Sequence, residues 1–324
     1  MKKLLATTLV LVMCVSLFSG CAPAAPAASA PAEAPKPAEK IIIGVTMSDF
    51  NDKWLSYMLD AMQAYSKNVI DVEVIYVDGK ADVNKQLGQV ETFIAQGCKA
   101  IVVNPVNTDA TEPMTKAAKE AGIPLISVNR LFKNQSEATS YVGSESIKAG
   151  IIEMEYLAEK MGGKGNVAIL VGDPGNEAAV KRTEGFKEVI KKYPDIKIVA
   201  EQIGMWQRDK GMTIMENWLQ SDLKIDAVAS NNDEMAIGAL KAIEAAGKLG
   251  TILVGGIDAT PDALEYMKAG KLNVTVFQDA SGQGEGAIKT AIAAAKGEKV
   301  EPIVWIPFEL VKPEEVDKFI AKWK

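Results

Sequence analysis

The chain has 324 residues, a formal net charge of −6 and no histidine. At about 100–200 residues per domain, that length holds one large or two ordinary domains. The acidic balance, with no basic stripe, argues against a nucleic-acid binder, whose affinity for phosphate rests on clustered Lys and Arg.

The missing histidine removes Ser-His-Asp and Cys-His nucleophilic sites, histidine proton shuttles and most catalytic zinc sites. Met1-Lys2-Lys3 is a basic start, and Leu4 to Leu17 is an uncharged apolar run. That run is shorter than a membrane span of about 20 residues and has the make-up of an export signal. It ends in Leu17-Phe18-Ser19-Gly20-Cys21, where small residues before a cysteine resemble the bacterial lipobox, although Phe18 stands where Leu is usual. Residues 1–20 are therefore read as a signal peptide and Cys21 as a lipid-anchored residue; the bland alternative is an ordinary signal in which Cys21 is incidental. Residues 22–40, APAAPAASAPAEAPKPAEK, carry too little apolar surface to build a core, so 21–40 reads as an extended tether. The expected location is outside the cytoplasm, on a membrane facing the periplasm or the outer cell surface. Two of the three cysteines, Cys14 and Cys21, fall in this leader, which leaves Cys98 unpaired and read as a small buried residue.

From Ile41 the pattern changes to short apolar runs alternating with amphipathic stretches. IIIGVTM reads as a strand, 53–67 as a helix, VEVIYV (72–77) as a strand and 82–97 as a helix capped by Asp82. AIVVNP is a strand, DATEPMTKAAKEAG a helix closed by Gly122, and PLISVN a strand. After a short strand at TSYVG the rhythm restarts. A helix over 146–161 is followed by NVAILVG, a helix over 176–192, IKIVAEQI, a helix over 208–220 and DAVASNN. Then come EMAIGALKAIEAAG, with Asp233 as its cap, then TILVGGID, PDALEYMKAG, VTVFQD, a Gly-rich helix, IVWIPFELV as one strand, and a terminal helix. Val/Ile runs alternating with helices imply parallel strands covered on both faces. The fold class is α/β, with two doubly wound parallel-sheet lobes.

In such sheets ligands sit beyond the carboxyl ends of the strands. The residues there are rich in Asn, Asp, Gln and Arg, with Trp54 and Trp206 nearby, and hold no nucleophile–base pair. In-plane donors and acceptors suit vicinal hydroxyls, and flat aromatic faces suit the apolar faces of a sugar or cyclitol ring.

Seven segments in order carry a family likeness: NPVNTDA, YVGSESIKAGI, KRTEGF, GMWQRDKGM, SNNDEMAIGALKAIEAAGK, GIDATPDAL and VTVFQDA. With them, residues 41–324 resemble the ribose- and galactose-binding periplasmic proteins throughout. The resemblance implies a type I periplasmic binding protein with a three-stranded hinge near Ser144, Gln278 and Pro307. Its lobes would be 41–144 plus 279–307 and 145–278 plus 308–324. It implies ligand contacts from Asp52, Trp54 and Leu55 after the first strand, with Leu55 where ribose binders carry a second aromatic. It adds Asn104, Asn129 and Arg130 in the first lobe. From the second lobe it adds Asn176, Arg182, Trp206, Asn232, Asp258 and Gln278. Galactose binders carry His and Asp ahead of the matching arginine, where this chain has Asn176 and Ala178, and EKMGGKGNVA lacks the spacing of their calcium loop. The pattern is neither the ribose nor the galactose one and most resembles the inositol-binding branch.

The expected role is to bind a monosaccharide or cyclitol (myo-inositol, ribose or a hexose), without catalysis, metal or cofactor, and to deliver it as a monomer to an ABC transporter permease. The same fold also serves receptors that present a sugar or autoinducer to a chemoreceptor or sensor kinase, and the sequence leaves that role open. Two enzyme-like signals weigh less. Gly282-x-Gly284 before Ala287 echoes a dinucleotide loop without a well-placed acidic partner, and Asp52 with Asp258 imitates a glycosidase pair whose separation the sequence does not give.

Overall fold

The computed structural model describes residues 40–323, so the expected export signal, Cys21 and nearly all of the expected tether lie outside the described residues. β1 (Ile41–Met47) leads through α1 (Lys53–Lys67) to β2 (Val72–Asp78), and α2 (Val83–Ala95) to β3 (Ala100–Val103). α3 (Glu112–Glu120), β4 (Leu125–Val128) and β5 (Ser140–Gly143) follow. The rhythm continues with α4 (Ser146–Lys160), β6 (Lys164–Val171), α5 (Glu177–Ile190), β7 (Asp195–Ile203) and α6 (Arg208–Gln220). Next are β8 (Ala227–Ser230), α7 (Asp233–Ala245), β9 (Leu253–Gly255), α8 (Pro261–Lys268) and β10 (Thr275–Phe277). α9 (Ala280–Ala295), β11 (Ile303–Trp305), β12 (Glu309–Val311) and α10 (Val316–Ile320) complete the order.

The strands form two parallel sheets, hence two lobes. The first has the order β11-β5-β4-β3-β1-β2, the second β7-β6-β8-β9. β10 and β12 pair antiparallel beside the second sheet, to which single bridges join Val274 and Phe277. Every residue of β3, β4 and β8 is buried, as expected of strands covered on both faces by helices. Burying each such Val or Ile contributes about 1.5–3 kcal/mol. Cys98 is buried under α2, with no disulfide partner among the described residues.

The chain returns to its first sheet late. α9 packs on α1 and on β3 and β4, and β11 pairs with β5. IVWIPFELV is therefore not one strand, as its apolar run suggested. Its first part joins the first sheet and its last part pairs with β10, because Pro307 between them has no N–H for a ladder and the segment changes lobes there. Gly284, part of the dinucleotide-like echo, lies where α9 crosses α1; a Cβ there would stand 2.6 Å from Met58 O, so it is a packing glycine.

Helix crossings in the second lobe are equally tight. A Cβ on Gly150 of α4 would lie 2.0 Å from Arg182 O on α5, and one on Gly185 of α5 would lie 2.5 Å from Ile147 O on α4. That pairing seats α5, which carries Arg182, directly against α4.

Candidate functional site

The strand ends of both lobes face one small cavity. From the first lobe come Asp52, Trp54, Leu55, Asn129 and Arg130. From the second come Asn176, Ala178, Arg182, Trp206, Asn232, Asp258 and Gln278. Of the residues singled out in the sequence, all but Asn104 line it.

Three of these residues begin helices. Asp52 Oδ1 accepts from Leu55 N at 3.0 Å, Asn176 Oδ1 from Ala178 N at 3.0 Å, and Asn232 Oδ1 from Met235 N at 3.0 Å. The positive ends of α1, α5 and α7 are thereby aimed at the cavity, which suits oxygen-rich ligands. Three others hold backbone conformations that side chains rarely adopt: Asn129 has φ 65°, Trp206 φ 67° and Asp258 φ 120°. Such strain persists where surroundings fix it, and it clusters at ligand sites.

Arg182 is the hub, 5 % exposed. Its Nη1 donates to Asn231 O at 2.7 Å and stands 3.5 Å from Asp258 Oδ1; its Nη2 donates to Gln278 Oε1 at 2.7 Å. The guanidinium lies 5.7 Å from the Trp206 ring centre and 5.8 Å from that of Phe308. Arg182 Nε and Trp206 Nε1 are buried donors with no partner among the described residues. Burial pushes the Asp258 carboxyl well up, and Arg182 partly offsets this.

The first lobe offers a second, looser pair. Arg130 Nη1 donates to Ser48 Oγ and Pro105 O, both at 2.9 Å, and its Nη2 stands 4.0 Å from Asp52 Oδ2. Burial raises the Asp52 carboxyl against the pull of Arg130. Trp54 spends its indole N–H on Gln278 O at 3.3 Å, which leaves its ring as a cavity wall.

Two expectations need correction. Asn104 does not line the cavity. It is fully buried, its Oδ1 accepts from Ser48 Oγ at 2.7 Å, and its Nδ2 reaches Val128 O and Asn129 Oδ1 at 3.3 Å. It braces the segment that presents Asn129 and Arg130 against the one that carries Ser48. Asp233 is not the cap of α7, since Asn232 takes that place. Asp233 turns inward and accepts from Thr260 N at 2.8 Å, Thr260 Oγ1 at 3.2 Å and Thr275 Oγ1 at 2.7 Å, and burial pushes its carboxyl up to about 7. Ala178 and Phe308 were missed. The clue to Ala178 was its place two residues after Asn176, where a bulkier polar residue stands in galactose binders. Phe308 had none, because it lies inside the segment read as one strand.

At the rim the lobes touch directly. Thr108 N donates to Gly175 O at 3.0 Å, and Glu177 N donates to Thr108 Oγ1 at 3.1 Å. A Cβ on Gly175 would stand 2.8 Å from Asn107 Nδ2, so a larger residue there would have to turn the Asn107 side chain aside.

Two guanidinium–carboxylate pairs, amides and two indoles surround a small space, and among the residues that line it no nucleophile is set against a base. A model of the periplasmic binding protein domain matches residues 43–299. The chain belongs to the periplasmic binding protein family. Family membership implies an exported, substrate-binding protein. The chain is 43% identical over 286 residues to a putative rhizopine-binding protein of Rhizobium meliloti, covering 86% of this chain and 93% of that one. It is 33% identical over 310 residues to the ribose import binding protein of Bacillus subtilis, covering 96% and 99%. Among solved structures, an ABC transporter solute-binding protein from Bacillus halodurans with bound myo-inositol superposes with a TM-score of 0.86 at 47% identity, covering 88% of this chain and 99% of that one.

Proposed function

We propose that this periplasmic binding protein takes up one cyclitol or monosaccharide ring, myo-inositol first among the candidates, and delivers it to an ABC transporter permease without altering it. The observation that carries the reading is the Arg182 hub. A buried fork already paired to Asp258 and Gln278 still holds a spare N–H, beside an indole with another. Adjacent ring hydroxyls supply the acceptors these donors lack and the donors that Asp258 and Asp52 accept, while Trp54 and Trp206 cover the ring faces. The bound myo-inositol of the Bacillus halodurans relative and the rhizopine and ribose named for the others support this ligand class.

The ligand residues are Asp52, Trp54, Leu55, Asn129, Arg130, Asn176, Arg182, Trp206, Asn232, Asp258 and Gln278, with Asn104 as their brace. The lobes divide at 41–144 plus 279–307 and 145–278 plus 308–324, and closure brings the two sets together. Ligand favours closure only by its differential affinity for that state. Cys21 carries the lipid that holds the tethered body, a monomer, at a membrane.

The test is titration of residues 41–324 with myo-inositol, ribose, galactose, glucose and xylose, followed by tryptophan fluorescence and melting temperature. At a thousandfold excess over the dissociation constant, the true ligand stabilises by about 4 kcal/mol. Myo-inositol is expected to shift both signals and to be recovered unchanged after long incubation. A shift with ribose or a hexose alone would move the assignment to that sugar, and chemical conversion of the ligand would refute the binding-only role.

A further inference from the structure

The turn that presents Asp258 is strained at two consecutive residues, Asp258 with φ 120° and Ala259 with φ 48°. Neither is glycine, so the conformation must be held from outside. The amides of the turn are held by the second lobe itself. Asp258 N donates to Val276 O at 2.8 Å, Ala259 N to Thr275 Oγ1 at 3.1 Å, and Thr260 N to Asp233 Oδ2 at 2.8 Å. The carbonyl of Ala259 is held differently. It accepts from Trp323 Nε1 at 2.8 Å, and Trp323 sits in the short turn Ala321–Trp323 that follows α10.

The same indole reaches the other lobe. Its ring lies 4.7 Å from that of Tyr57 on α1 and 5.9 Å from that of Phe277 on β10. It packs against the apolar cores of both lobes. Tyr57 stands three residues after Trp54, one helical turn on, and Trp54 bonds Gln278, the residue after Phe277. Trp323 does not line the ligand cavity. It touches the backbone of the ligand carboxylate's turn on one side and the helix that begins at Asp52 on the other.

We propose that Trp323 is a positioning residue for ligand binding: its N–H pins the strained Asp258–Ala259 turn while its ring, tilted against that of Tyr57, ties that turn to the first lobe. The aim of Asp258 and the angle between the lobes are thus set together by a residue that never meets the ligand. This rests on the ligand reading above, in which Asp258 accepts from ring hydroxyls.

The test uses Trp323→Phe, which keeps an aromatic ring near Tyr57 and Phe277 while removing the N–H together with part of the indole's bulk. The first readout needs no ligand: hydrogen exchange of the amides at 258–260 in the free protein, compared with those of β8. A lost hydrogen bond of ordinary strength corresponds to a change of about 3–10-fold. Exchange at 258–260 is expected to rise by about that factor with β8 unaffected. The myo-inositol dissociation constant is expected to weaken by a similar factor through faster release. In an Asp258→Asn background, adding Trp323→Phe should leave the dissociation constant where Asp258→Asn alone put it. Unchanged exchange at 258–260 would overturn the proposal. So would a wild-type dissociation constant beside a lowered melting temperature, the mark of plain core packing. If the wild-type protein binds no myo-inositol, the ligand reading fails, and the exchange result alone decides for or against the brace.

Discussion

Arg182 and Asp258 stand at the centre of the cavity with 5 % of either side chain exposed, and their roles are not interchangeable with near relatives in charge. The guanidinium spans Asn231 O, Gln278 Oε1 and Asp258 Oδ1, a fork an ammonium does not reproduce. Arg182→Lys is expected to weaken ligand binding by about 10–100-fold, the worth of one or two charge-assisted bonds, and calorimetric titration measures it. A near-wild-type affinity would remove Arg182 from the site. Asp233 makes a prediction about acidity. Unfolded, its carboxyl gives up a proton near the ordinary 3.8; folded, it holds the proton until about 7. Between these values the folded state binds more protons, so this group's contribution to stability falls as pH rises through the window and levels off above it. Melting of the ligand-free protein should be higher at about pH 5 than at about pH 8, and Asp233→Asn should flatten that difference. A melting temperature that climbs over the window would contradict it. At this scale the sequence told which residues stand at strand ends, but not which way they turn. Asn104 and Asn129 follow neighbouring strands and look alike in sequence; only the packing of Ser48 and Val128 around Asn104 turns it inward.

Among elements, α1, α5 and α7 share one device: the residue that caps the helix also lines the cavity. Capping and cavity-lining are not alternatives at Asp52, Asn176 and Asn232, because the cavity walls are themselves helix starts. Most of the alternation was legible because buried parallel strands need unbroken apolar runs and their helices need one apolar face. The exception, IVWIPFELV, failed for a topological reason: an apolar run does not tell which sheet each half will join. The seating of α5 makes an element-scale prediction. Gly150→Ala would press a methyl onto Arg182 O, 2.0 Å from the ideal position, so α4 and α5 must part. The expected cost is about 1–3 kcal/mol of stability, together with weaker ligand binding because Arg182 rides on α5. Chemical denaturation and titration of the same variant check both; a stability loss with unaltered affinity would show that α5 moves without its arginine.

For the whole molecule, closure is supported by protein as well as by ligand. Thr108 joins Gly175 and Glu177 across the rim without touching the cavity. Thr108→Val keeps the shape and removes the hydroxyl, so the lobes should part more readily. Small-angle scattering of the ligand-free protein should show a larger radius of gyration, and affinity should fall by about 3–10-fold. Scattering curves that match with and without saturating ligand, in both proteins, would refute hinged closure.

The two charge pairs of the cavity have a last consequence. Arg130 faces Asp52 and Arg182 faces Asp258, so each lobe brings its own neutralised pair rather than a bare charge. A neutral polyol entering such a space disturbs no long-range field, and its affinity should barely respond to ionic strength, whereas a phosphorylated ring would introduce a charge with no counterpart. An exported protein meets whatever salinity its surroundings impose. This one carries its electrostatics pre-balanced, so its hold on an uncharged nutrient does not drift with the medium.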